Sequence, residues 1–98
     1  MKYQIRVRPE AEADLKRLYC WYEEICFGLG DQMLADFEAA LLILTENPRL
    51  YAKQYRQVRR QLLRVFPVGL YYTIVGEVVH IISVDHLSRD PDRWKKRV

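Results

Sequence analysis

Leu70 to Val84 reads LYYTIVGEVVHIISV. Two apolar runs rich in β-branched and aromatic residues, Leu70–Val75 and Val78–Val84, are parted by Gly76 and Glu77. A two-residue break carrying glycine between such runs is a hairpin signal, so the two are expected to pair antiparallel. Upstream, Val58–Phe66 is a third β-like run, and Tyr3–Val7 alternates as YQIRV with apolar residues at 3, 5 and 7, the pattern of a short half-buried strand.

Between the first strand and the others the period changes. Pro9 suits the first position of a helix, and Glu10 and Glu12 fall in a first turn where the helix dipole favours anions. Ala11, Leu15, Leu18, Tyr22 and Ile25 then recur every three or four residues, a single apolar stripe. Gly28 and Gly30 end that helix. A second is expected from about Asp31, with Met33, Phe37, Ala40, Leu41 and Leu44 on one face, until Asn47 and Pro48 stop it. The short link makes an antiparallel helical hairpin. Asp90 and Pro91 read as the cap and first position of a short terminal helix holding Trp94. The expected fold is α+β: an N-terminal strand, a helical hairpin packed on a mainly antiparallel sheet of about four strands, and a short C-terminal helix.

At 98 residues, half of them hydrophobic and 30% charged, the chain has enough apolar matter for one core and too little length for two. Residues 1–98 are therefore expected to form a single domain. The start is charged at nearly every second position without the apolar run of a signal peptide, and no apolar stretch reaches membrane-spanning length, so a cytoplasmic protein is expected. Cys20 and Cys26 lack CxxC or histidine spacing, which argues for reduced, structural thiols rather than a disulfide or a zinc site.

Charge is distributed unevenly. Residues 10–47 carry nine acids against Lys16 and Arg17, a net of −7, whereas residues 49–64 carry Arg49, Lys53, Arg56, Arg59, Arg60 and Arg64 with no acid. Such a bipolar surface either solubilises two faces or offers its basic side to a phosphate backbone or an acidic protein segment. No P-loop, GxGxxG, GxSxG or HExxH pattern occurs, so the nucleotide, hydride and hydrolase chemistries that use them find no support; no cofactor, metal or small-molecule substrate is expected.

The string VRRQLLRVFPVGLYYTIVGEVVHIISVDHLSRDPDRW (Val58–Trp94), preceded by RPEAEADLKRLYCWY (Arg8–Tyr22) and the Asn47–Pro48 stop, resembles the RelE/ParE superfamily of bacterial type II toxin–antitoxin toxins. The resemblance rests on PEAEADL in the first helix, an arginine pair before FP, the YYxI strand, and H-x-x-R-x-P-x-x-W at the end, and it spans nearly the whole chain. It implies a small cytoplasmic toxin that arrests growth, neutralised by a cognate antitoxin. The target is either DNA gyrase, which is poisoned, or ribosome-bound mRNA, which is cleaved.

RNA cleavage through the 2′-hydroxyl needs a group to take its proton, a cation for the pentacovalent phosphate and an acid for the leaving oxygen. The resemblance places Arg59 or Arg60 at a phosphate-binding arginine and His86 at a catalytic histidine, if the chain is a nuclease. A guanidinium fork matches phosphate oxygens, and an imidazole suits acid or base work near neutrality. Nuclease relatives often carry a tyrosine after that histidine or near the C-terminus; here Leu87 and Val98 stand there, which tilts the expectation toward gyrase. Lys53, Arg56, Arg64, Tyr72, Arg89 and Trp94 are the expected contacts to target or antitoxin. Tyr71 and Tyr72 point to opposite faces, one to the core and one available to a partner, and Trp94 reads also as a lid docking the terminal helix. His80, alternating with Val78, Ile82 and Val84, reads as a satisfied, partly buried histidine, and Asp90, Asp92, Arg89 and Arg93 as capping and surface pairs.

Overall fold

The computed structural model describes residues 2–98. Strand β1 (Gln4–Val7) leads into α1 (Pro9–Ile25) and α2 (Leu29–Glu46), a 3-10 turn at Pro48–Leu50, then β2 (Lys53–Tyr55), β3 (Val58–Leu62), β4 (Val68–Val75), β5 (Val78–His86) and a one-turn α3 (Asp92–Lys95). The sheet runs β1-β5-β4-β3-β2. All pairs are antiparallel except β1 with β5, where Gln4–Val7 lies parallel to Val78–Ile81. The α+β architecture read from the sequence is observed, with one more strand than expected.

The hairpin turns at Gly28, whose φ of 87° an L side chain resists. The second helix starts at Leu29, two residues before the expected Asp31, because its free amides are met from the first helix: Glu23 accepts from Gly28 N at 3.1 Å and from Gly30 N at 2.9 Å. Gly30 therefore lies inside α2 and does not break it. A Cβ there would sit 2.7 Å from the Tyr19 carbonyl, so only glycine lets the helices approach so closely. Cys20 and Cys26 are exposed free thiols, not packing residues.

One face of the sheet packs on the hairpin. Met33, Phe37, Ala40 and Leu44 of α2 and Ala11 and Tyr22 of α1 meet Val68, Leu70, Tyr72, Val79, Ile81 and Val84. The third strand ends at Leu62, not Phe66. Asp36 of α2 accepts from Val65 N and Phe66 N at 2.9 and 3.0 Å, taking the amides a longer strand would need, and Pro67 has none to donate.

Tyr72 is fully buried in this core, and its hydroxyl donates to the Pro48 carbonyl at 2.6 Å, pinning the helix stop to the sheet. Burial pushes its phenol up to about 12, with Arg59 pulling weakly the other way. The fold thus favours the neutral phenol: its contribution is complete below the ordinary value of 10.0 and is lost as pH rises from there toward about 12. Tyr72→Phe is expected to cost about 1–3 kcal/mol in urea unfolding, because a buried carbonyl loses its donor. It should also remove the late tyrosine ionisation from an absorbance titration; a loss below about 0.3 kcal/mol with the late ionisation intact would refute both assignments.

Candidate functional site

A bulge in β5 sets the geometry of both surfaces that flank the sheet. Tyr72 pairs with Ile81, but Tyr71 pairs with Ser83, so Ile82 is an extra residue in the ladder. Before it, His80 shares a face with Thr73; after it, Val84 and His86 lie opposite Leu70 and Val68 on the hairpin side. Strict alternation would have kept Val84 with Val78 and Ile82. The extra residue sends it, and His86, to the other side.

On the face away from the hairpin, Trp94 of α3 stacks on Tyr71 with centroids 4.5 Å apart and packs with Val58, Ile82 and Tyr55. Tyr55 has two cations over its ring: the Arg56 guanidinium at 5.1 Å and Lys95 Nζ at 5.2 Å. Arg60 pairs with Tyr71 and so lies on this face too. Its aliphatic stem crosses Gly69, where a Cβ would meet Arg60 Cδ at 3.3 Å.

On the other side, β1 ends opposite Ile81 and leaves the lower edge of β5 without a partner strand. Asp14, a buried carboxylate of α1, takes its place. It accepts from Val84 N at 3.2 Å and Ser83 Oγ at 3.1 Å, and Arg97 grips it at 2.6 and 3.1 Å while donating to the Ile82 carbonyl. Arg17 hydrogen-bonds the same carboxylate, and Arg93 lies 3.5 Å from it and 3.6 Å from Asp85. Burial pushes the Asp14 carboxyl up, but the bonds from Arg97, Val84 N and Ser83 outweigh it and hold it below the usual carboxylate range. Beside this node, α1 and the end of β5 enclose a cleft of about 760 Å³ that includes Trp21, His86, Arg17, Arg89 and Arg93. His86 meets the Trp21 ring edge-on at 5.7 Å, and its Nδ1 accepts from Ser88 N, with the Ser88 hydroxyl 2.8 Å from the same nitrogen.

The residues picked out from sequence are thus dispersed. Arg60 faces away from the hairpin and His86 toward it. Arg59 is tied down by its guanidinium, which donates to the Tyr51 carbonyl at 2.6 Å and the Arg49 carbonyl at 3.3 Å. Lys53, Arg56, Arg64 and Arg89 are exposed, whereas Tyr72 and Trp94 are buried and present no surface to a partner: the one is core, the other the lid. Arg93 belongs to the acidic node and not to a surface pair with Asp90 or Asp92; Asp90 caps the terminal turn, accepting from Asp92 N at 3.0 Å. Asp14, Ser83, Asp85 and Arg97 were not legible as a cluster, since each sits in an unremarkable local context and 83 residues separate Asp14 from Arg97. Among the described residues no three His, Cys, Asp or Glu side chains gather as a metal site, and no helix is long and apolar enough to cross a membrane.

A family model for the ParE toxin of the type II toxin–antitoxin system parDE matches residues 5–91. The chain belongs to the ParE toxin family. Its fold is also that of solved relatives. The chromosomal ParDE toxin–antitoxin system of P. aeruginosa aligns with a TM-score of 0.77 at 18% identity, covering 87% of this chain and 96% of that one. The RelBE2 toxin–antitoxin complex of Mycobacterium tuberculosis gives 0.64 at 24%, covering 88% and 99%. The intact E. coli RelBE complex gives 0.66 at 23%, covering 89% and 99%. No curated protein matches in sequence. This ParE-family toxin is therefore the toxin component of a type II system, and the matched span takes in the bulge, His86 and Arg60 but ends before Trp94.

Proposed function

We propose that this toxin arrests growth by binding DNA gyrase, the ParE-like mode, and that a cognate antitoxin holds it inactive. The observation that carries the reading is the separation of Arg60 and His86 onto opposite faces of the sheet, with the Arg59 guanidinium already bonded to two carbonyls. A scissile phosphate has to touch its cation and its acid or base together, within hydrogen-bond reach. A binder needs no such convergence. The antitoxin is supported by relatives of the same fold solved as toxin–antitoxin complexes.

The test is growth arrest at matched expression, read by whether DNA breaks or truncated ribosome-bound mRNA accumulate first. DNA breaks are expected. His86→Gln keeps size and a hydrogen bond but removes proton transfer, so toxicity should change less than a few-fold, where a catalytic histidine would lose roughly a hundredfold to ten-thousandfold. New mRNA ends that appear with wild type and vanish with His86→Gln would overturn the reading in favour of the ribosome-dependent nuclease. Co-expression with the neighbouring gene should yield a tight complex; recovery of the toxin alone at low salt would refute the antitoxin.

A further inference from the structure

Three cations stand on the face away from the hairpin without an anionic partner. Arg56 and Lys95 converge on the Tyr55 ring, and Arg60 lies two residues along β3 from Val58, the register partner of Tyr55, a displacement of about 7 Å at ~3.3 Å per residue. The described ion pairs join Lys2 to Glu46, and Arg17, Arg93 and Arg97 to Asp14 or Asp85; none includes Arg56, Arg60 or Lys95.

Two like charges on one aromatic ring repel each other, and an exposed cation–π contact returns only about 0.5–1 kcal/mol. Arg56 also holds φ at 52°, the sole described residue other than glycine in that region, at a turn where glycine or asparagine would sit more easily. Gly69 leaves room for the Arg60 stem and the Tyr71 ring, each within 3.3 Å of where its Cβ would be. The turn, the glycine and the terminal helix carrying Lys95 all hold positive charge over an aromatic floor. The charge is spread between the pair over Tyr55 and Arg60 about 7 Å further along β3, which suits successive phosphates of a polymer better than one small anion.

We propose that Arg56, Arg60 and Lys95, arrayed around Tyr55 on the sheet face opposite the helical hairpin, bind the phosphate backbone of double-stranded DNA. The choice of DNA as the polyanion rests on the gyrase reading above, because gyrase presents a bound duplex beside its own surface. The contact is to backbone and not to sequence, and it gives the toxin a second hold on the gyrase–DNA complex that free gyrase lacks.

The purified toxin is titrated into a labelled duplex of about 20 base pairs, which at ~3.4 Å per pair exceeds the 39 Å long axis of the protein. Binding is followed by anisotropy across a salt series. Binding that weakens with salt is expected. The triple variant Arg56→Ala, Arg60→Ala, Lys95→Ala should bind at least about thirtyfold more weakly at low salt, with the log–log salt slope flattened by about 2 to 3, at ~0.9 per lost phosphate contact. Lys2→Ala with Arg6→Ala, which removes charge at the β1 edge, is the control and should change affinity less than about threefold. A thermal melt of each variant keeps loss of fold apart from loss of contact, and Arg60→Lys alone, which keeps the charge, should retain most of the binding. Equal losses in the triple variant and the control would reduce the effect to net charge and overturn the proposal. Tighter binding to single-stranded RNA of the same length than to the duplex would overturn it in favour of an RNA ligand. DNA breaks in cells expressing wild type report on gyrase separately, so breaks without duplex binding refute this face alone, and duplex binding without breaks refutes the gyrase reading alone.

Discussion

Asp14→Ala is expected to lose about 3–5 kcal/mol of stability, the cost of removing one partner from a buried ionic network, out of the roughly 5–15 kcal/mol that holds a domain together. Asp14 is 1% exposed and serves the Arg97 and Arg17 guanidiniums, Ser83 Oγ and Val84 N at once. Truncation leaves the Val84 amide without its acceptor and the partly buried Arg97 guanidinium with only the Ile82 carbonyl, and the free lower edge of β5 loses the group that stands in for a neighbouring strand. Asp14→Asn keeps the shape and one acceptor oxygen, so its loss should be smaller, near the roughly 1.5–3 kcal/mol of a charged hydrogen bond. The pH dependence has a definite sign. The folded carboxyl lies below the ordinary value of 3.8, so its contribution is complete above that value and is lost as pH falls below it toward the folded pKa. Urea midpoints measured from neutral pH down to about 3 would show a decline in wild type that Asp14→Asn lacks. A loss below about 1 kcal/mol for Asp14→Ala would mean that the network is ornamental to the fold.

Trp94→Ala should cost a comparable amount, about 3–5 kcal/mol, through a different mechanism. The indole is 4% exposed and closes the second core formed by Val58, Tyr71 and Ile82. One helical turn has no stability of its own, so α3 stays in place through this side chain and the arginines that follow and precede it. Removing the indole opens that small core to water and frees Lys95 from its position over Tyr55. At about 4–8 °C per kcal/mol for a domain of this size, the thermal midpoint should fall by well over 10 °C. A drop of only a few degrees would show that the terminal helix is dispensable to the sheet.

These two residues were legible to different degrees. Trp94, a large aromatic after an Asp-Pro start, read as a lid from its chemistry alone, and the stacking on Tyr71 bears this out. Asp14 did not, because an acid near the start of an amphipathic helix is ordinarily solvated; what buries it is the end of β1, one strand away in space.

Local patterns were enough for the order of the elements except β2, whose three residues Lys53–Tyr55 carry no apolar alternation. The change of hydrophobic period after Val7, the Asn47–Pro48 stop, and the Gly76–Glu77 break between two apolar runs each act within a few residues, and backbone preference and side-chain alternation are themselves short-range. The motifs from Arg8 to Tyr22 and from Val58 to Trp94 pointed to the family for the same reason: they are contiguous strings. Only the tertiary structure decided where the charges meet. A single extra residue at Ile82 reverses the side on which every later residue of β5 lies, so His86 parts from Arg60, whose side an unbroken alternation from His80 would have given it. Glu23 caps the second helix from the first, Asp36 ends a strand from the helix above it, and Arg97 reaches Asp14 from the far end of the chain. Each of these joins residues that the sequence keeps apart, and a carboxylate or guanidinium takes its partner from whatever folding brings within about 3 Å, which no local pattern encodes.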